Sequence, residues 1–138
     1  MNIFSSTLTL LNSAQLHSEL QLPAMPLVIE KLEDFVEQLY QSFEAQPRLV
    51  HLLLDAQLLP RIVNTASKMR YEALIVLLKK HYPHCDETLI TQTAANLRYI
   101  MSASTWRYYR QMFDFNMVAS VQCARMVIRQ AIAYLNSK

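Results

Sequence analysis

None of the 138 residues is glycine, where average usage supplies about 7%. Glycine furnishes the positive-φ positions of tight β-hairpins and bulges. A sheet protein of this length without it would be hard to turn, whereas helices joined by short loops can do without it. Phosphate-cradling loops also need glycine for close backbone approach, so P-loop, Rossmann and kinase-type nucleotide sites are excluded.

Charge is also sparse. Charged residues make up 17% of the chain and hydrophobic ones 52%, against about a quarter charged in an ordinary domain. The apolar surplus beyond a core predicts a lined cavity, a dimer face or both. The formal net charge of +2 gives no strong field for nucleic acid or an anionic membrane. Two cysteines, Cys85 and Cys123, are too few for a disulfide framework. The first 22 residues lack the basic and apolar regions of a secretory signal. A reduced, cytoplasmic chain is therefore expected. No stretch reaches the ~18 uninterrupted apolar residues of a membrane span, and no membrane association is expected.

What is present is helical periodicity. Residues 1–22 carry a loose amphipathic pattern, a possible short helix, which Pro23 and Pro26 end; residues 23–138 read as one domain. Val28, Ile29, Leu32, Phe35, Val36, Leu39, Tyr40 and Phe43 follow the 3.6-residue period of a helix with one buried face. Glu30, Glu33, Asp34 and Glu37 are expected to form its solvated side. After Pro47, residues 48–57 are short and apolar on most sides, which predicts a buried helix. A long helix is expected over 61–82, with Lys79, Lys80 and His81 in a last turn that favours cations and Pro83 as its stop.

Asp86 is the expected N-cap of the next helix and Asn116 that of the last. Between them, a short aromatic helix runs from Ser104 to Phe113. In the last helix Met117, Val121, Ala124, Ile128, Ala131 and Leu135 repeat at spacings of four and three, a seam for packing helix on helix. The expected fold is all-α: an antiparallel bundle of about six helices.

Catalytic chemistry finds little support. His81, His84 and Cys85 are zinc-type ligands, but they straddle Pro83 with no second Cys/His pair nearby. They read as a polar helix terminus. Cys123 sits in an apolar helix, as buried cysteines commonly do. The carboxylates read as helix surfaces, loops and caps. No enzyme activity, metal or cofactor is expected. Arg107, Arg110, Arg125 and Arg129, interleaved with Tyr108 and Tyr109, suggest single-strand binding. Without a net positive field, solvated arginines beside apolar faces are the simpler reading. Tyr40, Phe43, Met69, Tyr71, Met101, Trp106 and Tyr109, with Met112 and Phe113 beside them, are the kinds of side chain that line pockets for hydrophobic ligands. They equally suit a filled core.

Two stretches carry a resemblance. Phe43-Glu44-Ala45-Gln46-Pro47-Arg48-Leu49 is a helix end followed by a proline-arginine entry to a short apolar helix. Ser102-Ala103-Ser104-Thr105-Trp106-Arg107-Tyr108-Tyr109-Arg110 is a small-residue run leading to Trp-Arg ahead of the last helix. With the helix order from Pro26 onward, the chain resembles the C-terminal ligand-binding and dimerisation domain of the TetR/AcrR family of bacterial transcriptional regulators. The family's glycine-containing helix-turn-helix has no counterpart here, so direct binding of nucleic acid by this chain is not expected. The resemblance implies a homodimer in which helices 86–101 and 117–135 form a four-helix bundle with their copies. Ile90, Thr93, Ala94, Leu97, Val121, Ala124, Ile128, Ala131 and Leu135 would be its contacts. Helices 26–43, 48–55 and 61–82 would enclose a small-molecule effector. A second reading is a protein-interaction module that docks a different chain through its C-terminal helices.

Overall fold

In the computed structural model, residues 20–55 and 64–138 are described. Residues 1–19, with most of the expected N-terminal helix, and residues 61–63 of the expected long helix lie outside what is described. Among the described residues the chain is all-helical. A 3-10 turn, Ile29–Lys31, leads into α1 (Leu32–Ala45). Then come α2 (Pro47–Asp55), α3 (Asn64–His81), α4 (Glu87–Ile100), α5 (Ala103–Met112) and α6 (Met117–Asn136). No helix among them is long and apolar enough to cross a membrane.

Side-chain caps set the starts of the last three helices. The Asp86 carboxylate accepts from the Leu89 N–H at 2.8 Å, and the Asn116 side chain from the Ala119 N–H at 2.8 Å. Each supplies a partner to an amide that the helix leaves unpaired. Ser102 does the same for α5, accepting from the Thr105 N–H at 3.1 Å; the helix therefore begins just before the expected Ser104. Pro47 opens α2, where its missing N–H costs nothing. Without glycine, the left-handed positions fall to Gln21, at φ 52°, and Asp114, at φ 54°. Aspartate tolerates this region better than most residues.

Two pairings organise the bundle. α3 lies along α4, and α1 lies along α6. Of the face expected to be buried, Ile29, Leu32, Phe35, Val36, Leu39, Tyr40 and Phe43 enter the core, whereas Val28, ahead of the first turn, is exposed. The acidic side of α1 is not simply solvated. Arg125 of α6 lies 2.9 Å from Asp34, 3.1 Å from Glu37 and 3.5 Å from Glu33. Arg129 lies 2.9 Å from Glu33. Three carboxylates on neighbouring turns would repel one another, and the α6 arginines offset that repulsion across the helix pair. Glu30 remains exposed. The short α2 is also less enclosed than its composition suggests. Only Val50 and Leu53 are fully buried, because α2 packs on α1 and α5 alone among the helix pairs with substantial contact.

Candidate functional site

α5 brings its aromatic face to the junction of α1 and α2. The Trp106 ring lies 5.7 Å from Phe43 and 5.3 Å from His51, centroid to centroid. Its indole N–H donates to Glu44 Oε1 at 3.0 Å, and the same carboxylate oxygen meets Arg110 Nε at 2.7 Å. One residue on, Arg107 pairs with Asp55 at the end of α2. The two stretches that carry the family resemblance thus meet in space, through Phe43 and Glu44 on one side and Trp106 and Arg110 on the other. His51 and Asp55 belong to this junction and escaped the sequence reading, since neither lies on a periodic apolar face.

Tyr40 and Arg70 close the C-terminal end of α4. The Tyr40 hydroxyl donates to the Ile100 carbonyl at 2.9 Å, and Arg70 Nη1 to the Met101 carbonyl at 3.1 Å. Burial pushes the Tyr40 phenol above its ordinary range, with Tyr109 and Cys123 adding to the effect. Burial, followed by the charge of Arg98, pulls Arg70 down from 12.5 to about 10. Arg70 keeps its place because the carbonyl end of a helix attracts a cation.

Among the pocket candidates, Tyr40, Phe43, Met101 and Trp106 are fully buried and their surfaces are spent largely on core neighbours. Tyr71 and Tyr109 are half-buried against the core. Met69 stands at the surface, 63% exposed. Among the described residues no group of three or more His, Cys, Asp and Glu could hold a metal ion. His84 is exposed and sits edge-on to Tyr82. The arginines considered for single-strand binding are committed elsewhere: Arg107 to Asp55, Arg110 to Glu44, and Arg125 and Arg129 to α1.

The outer side of α4 and α6 is a second candidate. Of the expected dimer contacts, Ile90, Thr93, Ala94, Leu97, Val121, Ala124, Ile128 and Leu135 are buried within the single chain, and Ala131 is half-buried. The most apolar seam is taken by the chain's own core. What it leaves open is the adjoining stripe. A groove of about 440 Å³ runs between the two helices, edged by Leu89, Gln92, Asn96, Val127, Gln130 and Tyr134, with Thr93, Leu97 and Ala131 also in its wall. None of these is charged. The grooves along α1 and α6, along the outer side of α5, and at the end of α3 each include a charged side chain. Helical spacing extends the uncharged stripe to the exposed Met126 and Tyr99.

Compared with known proteins, the chain matches no family model, no curated relative and no solved structure.

Proposed function

We propose that this chain is the effector-sensing and dimerisation domain of a TetR-like transcriptional regulator. It pairs with a second copy through the outer face of α4 and α6 and takes up a small apolar or aromatic molecule. The observation that carries this reading is the uncharged stripe on those two helices. A chain this size ordinarily keeps charge on exposed helix faces, and depletion of charge is what marks the centre of protein interfaces.

The sensing half rests on the junction at Trp106. An apolar ligand inserted between α2 and α5 would separate His51 from Trp106 and displace α5. The link from α5 to α6 is stiff: Arg110 Nη1 donates to the Phe115 carbonyl at 2.6 Å, and the rings of Phe113 and Phe115 stack at 5.6 Å. A shift of α5 would therefore reach α6 and the dimer face, which is the coupling a sensor needs.

Native mass spectrometry of the purified chain tests both halves. A dimer, with a small organic adduct or with one formed on adding an aromatic compound, supports the proposal. A monomer at high concentration overturns it. The alternative, docking of a different chain, uses the same stripe and predicts a monomer that forms a one-to-one hetero-complex.

A further inference from the structure

α4 and α6 run antiparallel. Tyr40 bonds the carbonyl of Ile100, the last residue of α4, and also feels the Cys123 thiol, in the first half of α6. At the opposite end, His81 and Tyr82, just ahead of α4, share a cleft with Ile132 and Asn136, at the end of α6. The uncharged stripe therefore has two unlike ends. The exposed Tyr99 marks one and the exposed Tyr134 the other. Gln92 and Asn96 on α4 and Gln130 on α6 lie between them.

This face is self-complementary. A two-fold axis sets a face against itself, so a face with charge of one sign repels its own copy. The groove between α4 and α6 has no charged side chain in its wall, whereas the grooves along α1 and α6, along α5 and at the end of α3 do. Its longest polar groups are the amides of Gln92, Asn96 and Gln130. An amide is donor and acceptor at once, so each can pair with any other. Closed symmetry then fixes the match. An axis standing on the middle of the stripe, between Asn96 and Gln130, turns α4 of one copy over α6 of the other with its ends exchanged.

We propose, resting on the dimer reading above, that two copies pair with Asn96 of each against the partner's Gln130 and Tyr99 of each against the partner's Tyr134. Every contact then occurs twice. Amides pair at the centre, and a pair of tyrosine rings closes each end, the kind of residue in which interfaces are enriched. The face is used up by one copy, so association stops at two.

The test is charge complementation in the full chain, followed by sedimentation velocity over a concentration series. Asn96 and Gln130 are both exposed, so Asn96→Lys and Gln130→Glu leave the fold intact. Each variant alone is expected to self-associate at least tenfold more weakly than the native chain. Mixed in equal amounts, they place the new cation against the new anion, and association should return to within about threefold of native. A mixture of Asn96→Lys with Asn96→Glu should stay weak, since those positions do not face each other. A first mixture no tighter than its separate components, or recovery in the second mixture, overturns this pairing and leaves the dimer reading standing. A native chain that is monomeric at high concentration overturns both.

Discussion

Trp106 and Glu44, 62 residues apart, are joined by a 3.0 Å hydrogen bond from the indole N–H to the carboxylate. Because the same oxygen also meets Arg110, Glu44 ties α1 to two turns of α5 at once. Glu44→Ala leaves a buried indole donor and a half-buried cation without their partner. A loss of about 2 kcal/mol in unfolding free energy is expected. Glu44→Gln keeps an acceptor for the indole and should cost less. Trp106 is the one tryptophan in the chain, so its emission follows urea unfolding without ambiguity. Equal losses in the two variants would mean that the indole bond contributes nothing.

The arginine clamp between α6 and α1 should be strongly unequal among its members. Arg125 serves three carboxylates and its side chain is 21% exposed, whereas Asp34 is 67% exposed. Arg125→Met is expected to cost about 1–2 kcal/mol and Asp34→Asn no more than about 0.5 kcal/mol. Raising sodium chloride to about 1 M shortens the screening length to about 3 Å and should narrow the gap. Thermal unfolding in low and high salt checks both statements. A gap that ignores salt would assign the effect of Arg125 to packing of its stem.

Tyr40 makes the fold sensitive to alkali. Its phenol is held above the ordinary 10.0 by burial, then by Tyr109 and Cys123. The folded chain therefore keeps this proton where the unfolded chain has lost it. The stability that follows is complete below pH 10 and falls as pH rises above it, by up to about 1.4 kcal/mol per pH unit for the one group. Arg70, lowered to about 10, acts with the opposite sign above that pH, since there the unfolded chain binds the extra proton. Tyr40→Phe separates the two. It should lose about 1 kcal/mol at pH 8 with its bond to Ile100, yet show a flatter or rising stability between pH 10 and 11. Urea midpoints at pH 8, 10 and 11 measure this, and parallel pH slopes in the two proteins would contradict it.

A charge placed on the uncharged stripe should dissociate the proposed dimer. Gln130 edges the α4–α6 groove, while Gln122 lines the groove along α1 and α6. Both are exposed, so neither substitution should disturb the fold. Gln130→Glu is expected to weaken self-association at least tenfold, as like charges meet across a symmetric interface. Gln122→Glu is expected to leave it within about twofold, because a lone exposed charge away from the contact changes little. Sedimentation velocity over a concentration series distinguishes them, and equal effects would place the interface elsewhere.

By itself the sequence determined the helical class. Absence of glycine, a 3.6-residue period over α1 and prolines at the breaks leave little else. It also determined local detail decided within one turn, such as the caps Asp86 and Asn116, because a cap and its amide lie three residues apart. What lay beyond reach was which surface covers which. Periodicity names a face without naming what packs on it, so the acidic side of α1 reads as solvated until Arg125, 91 residues from Asp34, is placed against it. For the same reason the apolar seam of α6 could serve a partner or the chain's own core. Tertiary structure gave Val121, Ala124 and Ile128 to the core. Burial within one chain comes without the loss of translational freedom that association costs, and the uncharged residues beside the seam are what it leaves at the surface.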